Sequence, residues 1–309
     1  MMFSFLAEVS AFGQAVVTDI GPDTKSPAIK IAPGQVVTLR VRGLAKRFDS
    51  IQVATSVPLP VDFGGVSVTL RQNNDVTGVP LPLIRGDFAD ACAWTVVAPD
   101  PTLQPQCNDP DAGVFVFQVQ MPYKLVVNGP GPLGEVRQIV ADAVVSVQEN
   151  GRVGRDLRVV PVLDQVHILR TCFGADQLYG EERCSPQIYH NDGKRVSASN
   201  AARSGEVLVG YGYGLGRPEV LIDAGTATPE PGLRLETPVS VQFTGLATSE
   251  NMAVYSGLVP GQVGLYQVNF RVPPLPNGLP ACGPGRTSNL TMIVQGAVSS
   301  DTLGLCAQP

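Results

Sequence analysis

Few side chains in this sequence could do chemistry, and they are scattered. His167 and His190 are its two histidines. His167 lies in the apolar run Val166–Leu169 and reads as a structural residue. His190 precedes the turn Asn191-Asp192-Gly193 and reads as solvated. No Gly-x-Ser-x-Gly elbow accompanies either one. The sequence has no His-Glu-x-x-His motif and no phosphate-cradling P-loop. Two carboxylates suffice for glycoside hydrolysis, so acidic pairs matter more. Glu181-Glu182 falls in the short stretch between Cys172 and Cys184 and reads as a solvated turn. Asn108-Asp109-Pro110-Asp111-Ala112-Gly113 gathers oxygen ligands before a glycine, as a calcium loop does. The bidentate Glu that closes such a loop is missing, and Asp-Pro and Asp-x-Gly are ordinary turn formers. Asp109 and Asp111 are thus the one calcium candidate. No catalytic residue and no cofactor is expected, and the chain reads as a non-enzyme. Asp109, Asp111, Glu181 and Glu182 meeting in one deep pocket would reverse that reading.

Aromatic platforms for sugars need several exposed rings. Trp94 is the single tryptophan. Tyr211, Tyr213, Tyr255 and Tyr266 fall in strand-like runs, where such residues serve as core or cross-strand partners. Tyr211 and Tyr213 share parity and so lie on one face of their strand. They form a candidate ligand patch if that face is the outer one.

The six cysteines are Cys92, Cys107, Cys172, Cys184, Cys282 and Cys306. No Cys-x-x-Cys spacing suggests zinc. Six cysteines allow fifteen pairings. The pairing Cys92–Cys107, Cys172–Cys184 and Cys282–Cys306 is favoured because each bridge clips one local loop. Each loop of that size is worth roughly 3 kcal/mol in the chain-entropy model. The alternative is six buried free thiols. Disulfides imply an oxidising compartment, hence an extracellular or cell-surface protein.

These side chains need a scaffold, and composition says which kind. Hydrophobic residues make up 44% of the 309 and charged residues 16%, so a packed core is expected rather than disorder. The 33 glycines and 27 prolines punctuate Val-rich runs, the habit of all-β chains with many turns. The net charge of −5 disfavours nucleic acid. No apolar run is long enough to span a bilayer as a helix.

The strands recur. Gly113–Pro122 and Gly264–Pro273 are both alternating strands opened by Gly and closed by Pro. The Pro33-Gly34 strand matches Ser204-Gly205-Glu206-Val207, and Gly65–Leu70 matches Pro238–Phe243. Leu81–Gly86 matches Met252–Gly257, and Asn289–Val294 closes its unit as Val144–Val147 or Leu157–Val162 closes the other. An internal duplication of β-rich units follows. The predicted fold is all-β: two tandem immunoglobulin-like β-sandwich domains with a short apolar N-terminal segment. The boundaries are 1–28 for the leader or docking segment, 29–165 for the first sandwich, 166–186 for a disulfide-clipped linker and 187–309 for the second sandwich.

In the leader, Met2, Phe5, Leu6, Val9 and Phe12 have helical spacing. Gly13-Gln14-Ala15 fits a signal cleavage site, yet no Lys or Arg precedes the apolar run and Glu8 interrupts it. It reads as the tail of a signal peptide whose start lies upstream, as a degenerate signal, or as a retained segment that packs on this or another subunit.

The segments Ile188–Lys194 and Ala201–Leu208 resemble a known family. So do Tyr211-Gly212-Tyr213-Gly214-Leu215-Gly216 and Tyr255–Asn269, with its Gly264-Leu265-Tyr266-Gln267-Val268-Asn269 block. Over roughly residues 187–295 the chain resembles the Solibacter-type C-terminal domain of exported bacterial, especially acidobacterial, proteins. The first unit resembles a generic transcription-factor-immunoglobulin (TIG) type sandwich through the duplication. The resemblance implies export and an immunoglobulin-like fold, and carries no catalytic residues. Two departures stand out: the stretch between Phe243 and Met252, and the C-terminal extension holding Cys282 and Cys306.

The expected function is a non-enzymatic extracellular structural or adhesive protein. It would self-associate or bind another surface protein, and could assemble into a filament or surface layer through the N-terminal segment. The alternative is a carbohydrate-binding accessory module of a secreted enzyme, with a glycan as partner.

Overall fold

The computed structural model describes residues 16–21, 30–44, 48, 50–73, 75, 77–89, 114–127, 143–171, 185–244, 253–283 and 288–309. Among them every regular element is a strand, and no helix is long and apolar enough to cross a membrane. The first unit contains β1 (Val16–Gly21), β2 (Lys30–Ile31), β3 (Val36–Arg42), β4 (Gln52–Val53), β5 (Asp62–Phe63) and β6 (Val66–Gln72). It continues with β7 (Val79–Pro80), β8 (Leu83–Ala89), β9 (Val114–Gln120), β10 (Ala143–Glu149), β11 (Arg152–Val153) and β12 (Leu157–Pro161). One sheet runs β1-β3-β9-β8-β4, the other β2-β12-β10-β6-β5, with β11 on β10 and β7 on β6. Val37, Leu39 and Phe117 from the first sheet meet Val68, Leu70 and Val145 from the second in one buried core. This is a β-sandwich.

The second unit contains β13 (His167–Ile168), β14 (Arg170–Thr171), β15 (Ser185–Pro186), β16 (Ile188–His190), β17 (Ala202–Arg203), β18 (Val207–Tyr213) and β19 (Leu233–Arg234). Then come β20 (Ser240–Phe243), β21 (Ala253–Leu258), β22 (Tyr266–Arg271), β23 (Leu290–Gln295), β24 (Ser300–Leu305) and β25 (Ala307–Gln308). Its larger sheet runs β13-β18-β22-β21-β19, with β16 also on β18, and faces the sheet β20-β23-β24. Leu208, Val268 and Phe270 pack against Val241, Met292 and Leu303 between them.

The order of neighbours recurs between the units. The sequence-matched strands β3-β9-β8 and β18-β22-β21 are neighbours in the same order, and a short strand, β4 or β19, follows each. Both β8 and β21 carry a register shift against their central partner. A short strand pairs in parallel with a late one in each unit, β2 with β12 and β17 with β25.

Strand pairing also places two segments that the sequence set apart. Val16–Gly21, within the 1–28 leader, pairs antiparallel with β3 at the edge of the first sheet. Within the 166–186 linker, His167 and Ile168 pair with Tyr213 and Gly212, and Val166 and Ile168 join the second core. Apolar alternation at Val166 and Ile168 is strand periodicity, which pulls this stretch onto the sheet.

Candidate functional site

The outer face of the larger second sheet is set by alternation. In β18 Leu208 points into the core, so Val207, Val209, Tyr211 and Tyr213 point out. In β22 Tyr266, Val268 and Phe270 are buried, which turns Gln267 and Asn269 outward. Register completes the rows. Tyr189, Val209, Asn269 and Tyr255 lie side by side across four strands. The next row is Tyr211, Gln267, Gly257 and Arg234. Tyr211 meets the Tyr189 ring edge-on, with centroids 5.8 Å apart. Gln267 Nε2 donates to Asn269 Oδ1 at 2.7 Å.

Tyr211 and Tyr213 therefore do share the outer face, and both are partly buried. Burial raises the pKa of the Tyr213 hydroxyl. Tyr189, Tyr211 and Tyr255, partly buried as well, make up the rest of the aromatic face. At Gly257 an added Cβ would stand 2.8 Å from Tyr255 Cζ, so only glycine lets that ring lie down on the sheet. Arg234 covers the ring with its guanidinium carbon 5.1 Å from the centroid. Burial raises the Tyr255 hydroxyl pKa, and the Arg234 charge pulls it back in part. Beside this pair is a groove of about 260 Å³, whose lining includes Glu219, Arg234, Pro238, Val254, Tyr255 and Ser256.

A second arrangement joins the units. Tyr266 is fully buried, and its hydroxyl lies 3.1 Å from Pro33 O in the first unit and 2.8 Å from Gly216 O in its own. Tyr123 of the first unit is a member of the second unit's core. Gln120 donates through Nε2 to the Tyr123 hydroxyl at 3.0 Å and accepts at Oε1 from Gly225 N at 2.6 Å. Leu59 N donates to Gly225 O at 2.8 Å. The Arg217 guanidinium donates to Tyr123 O at 3.2 Å and also to Leu125 O. Gly34, at φ +68°, completes the fit. A Cβ there would lie 2.6 Å from Tyr123 Cδ1 and 2.5 Å from the Tyr266 oxygen.

The segment between the units is anchored as well. Asp164, 3% exposed, accepts from the backbone N–H groups of Ala297 (2.6 Å), Val298 (3.1 Å) and Ser299 (2.9 Å) and from the Ser299 hydroxyl (2.5 Å). Arg170 pairs with Asp301 at 2.5 Å, each side chain about nine-tenths buried. Asp301 also accepts from Ile168 N at 2.8 Å.

The remaining sequence candidates fall as follows. His167 is partly buried beside Tyr213. His190 departs from the solvated reading. It is 11% exposed, with Nδ1 2.6 Å from Glu206 Oε1 and Nε2 3.2 Å from Asn200 O. The turn 191–193 folds back through His190 N to Lys194 O, which brings the ring over Glu206. Cys282 and Cys306 form a disulfide. Met2, Phe5, Leu6, Val9, Phe12, Cys92, Trp94, Cys107, Asp109, Asp111, Cys172, Glu181, Glu182 and Cys184 lie outside the described residues. Among the described residues no three His, Cys, Asp or Glu side chains converge as a metal site. No known family model matches the chain, and no curated protein matches it significantly.

Proposed function

We propose that this chain is a non-enzymatic extracellular structural or adhesive protein, built of two immunoglobulin-like units that act as one stiff body. The observation that carries the reading is the junction. Tyr266, Gln120 and Arg217 cross-link the units through four side-chain hydrogen bonds, Leu59 N adds a backbone bond to Gly225 O, and Tyr123 packs in the second unit's core. A hinge would have to expose Tyr266 and Tyr123 and strand their partners. A stiff tandem suits load-bearing or the presentation of a fixed surface. The Cys282–Cys306 bridge and the Solibacter-type resemblance support export. Self-assembly through the apolar segment around Met2–Phe12 extends the proposal.

Negative-stain electron microscopy of the full chain beside a chain lacking residues 1–14 tests it. That truncation spares β1. Regular filaments from the full chain alone would support assembly through the leader. Single particles with a variable angle between the units would overturn the stiff-tandem reading. The second reading, a carbohydrate-binding accessory module, is favoured by the tyrosine and amide face.

A further inference from the structure

From the second sheet's outer face we infer that Tyr255, Arg234 and their row neighbours bind an acidic, uronate-bearing polysaccharide; this deepens the accessory-module reading and rests on it. Three observations lead there. The first is charge. The chain carries a net −5, yet the strands β13, β16, β18, β22, β21 and β19 hold no Asp or Glu; the carboxylate beside them is Glu219, opposite Arg234 next to the Pro218–Leu235 bridge. Its charged side chains there are Arg234 and Arg271, both exposed. Arg271 donates to Gly205 O at the end of its strand. No carboxylate among the described residues lies within ion-pair distance of Arg234. A planar guanidinium with free donors at the rim of an acidic protein is complementary to a ligand carboxylate.

The second observation is the platform. Tyr255 lies flat over Gly257 and carries Arg234 over its other face, so the rings left for a ligand are Tyr211 and Tyr189 further along, with Gln267 and Asn269 between. The C–H faces of a sugar ring pack on such rings, and its hydroxyls bond to side-chain amides. The row from Tyr189 to Tyr255 crosses four strands, about 14 Å at the usual strand spacing. That length suits several sugar units rather than one.

The third is the groove at the row's end. Its 260 Å³ falls just under the roughly 300–1,000 Å³ of drug-sized sites. Glu219 is the one carboxylate in its lining. The Glu219 backbone N–H donates to Arg234 O at 2.8 Å, so the two residues are cross-strand neighbours. A uronate unit would place its carboxylate on Arg234 and a hydroxyl on Glu219.

Affinity electrophoresis of the full chain in gels containing polygalacturonate, and in matched gels containing neutral dextran or xylan, tests the inference. Retardation in polygalacturonate alone is expected, weakening with added salt. Arg234→Gln, an exposed change that should not disturb folding, is expected to weaken it about fivefold, the scale of one solvent-exposed ion pair. Tyr255→Ala should weaken it comparably. Lys124→Gln, in an exposed pair away from the face, should leave it unchanged. Equal retardation by the neutral polymers, or an unchanged Arg234→Gln, overturns the acidic specificity while the accessory-module reading stands. No retardation by any polymer overturns both. A dimer that covers Tyr255, seen by sedimentation and loss of tyrosine accessibility, also overturns it.

Discussion

The hydroxyl of Tyr266 lies 3.1 Å from the carbonyl oxygen of Pro33, a residue 233 positions earlier in the chain. The same hydroxyl is 2.8 Å from Gly216 O. One phenolic proton therefore faces two acceptors, one in each unit, on a fully buried ring. Tyr266→Phe keeps the ring and removes the proton, leaving two buried carbonyl groups short of a donor. A loss of roughly 1–3 kcal/mol in urea unfolding is expected. Gly34→Ala should cost more, about 3 kcal/mol, because it adds a left-handed backbone penalty to a clash with Tyr123. A neutral Gly34→Ala would show that the units do not approach as closely as Tyr123 and Tyr266 require.

The junction should loosen in alkali. Burial raises the pKa of both the Tyr123 and Tyr266 hydroxyls above the usual phenol value. The sign follows from linkage. Between the ordinary value near 10 and the raised folded values, the unfolded chain has lost phenolic protons that the folded chain keeps. Stability from these groups is complete below about pH 10 and falls as pH rises above it. Denaturation midpoints measured from pH 8 to pH 12 should show the fall, and Tyr123→Phe with Tyr266→Phe should reduce its slope. An unchanged slope in the double variant would place the alkaline sensitivity elsewhere.

What the sequence disclosed was what alternation can encode. Tyr266, Val268 and Phe270 against Gln267 and Asn269 mark which side of β22 faces the core, and the two-fold recurrence of such strands foretold the all-β sheets. Asn150-Gly151, between β10 and β11, is the Asn-Gly pair that local turn chemistry favours, and both residues have positive φ. Tyr255 was not legible as part of the outer row, because the register shift between Ala253 and Tyr255 resets the parity of β21. The junction was hidden for a different reason. Its partners, such as Gln120 with Gly225 and Pro33 with Tyr266, are joined only by the packing of one unit on the other. His190 looked solvated beside its turn because Glu206 is near it only once β16 pairs with β18.

Asp164 predicts where the second unit is most easily broken. Its carboxylate gathers three backbone N–H groups and a hydroxyl from 297–299, the turn between β23 and β24. Asp164→Ala removes the acceptor of four bonds that are themselves part-buried. With charge-assisted bonds at roughly 1.5–3 kcal/mol each and partial rescue by water, a loss of about 3 kcal/mol is expected. Hydrogen exchange should rise first at the amides of 297–299. Uniform acceleration across both units, with no excess at that turn, would contradict a local anchoring role.

The C-terminal strand should depend on two fastenings that share one segment. Cys306 is bridged to Cys282 across 24 residues, and its carbonyl accepts from Ala202 N at 2.9 Å. Next to it, Ala307 N donates to Asn289 Oδ1 at 2.8 Å and Ala307 O accepts from Asn289 Nδ2 at 2.7 Å. Replacing both cysteines by serine should cost about 3 kcal/mol by relaxing the unfolded chain. Asn289→Ala should cost roughly 1–3 kcal/mol through its three backbone bonds, the third of them to Pro280 O at 2.8 Å. The two changes act on neighbouring residues of one short strand, so their effects should not add. Once the bridge is gone, β25 can fray without Asn289, and the combined loss should fall short of the sum. A double-mutant cycle followed by urea denaturation measures the difference. Full additivity would mean that β25 is held on β17 independently of the disulfide.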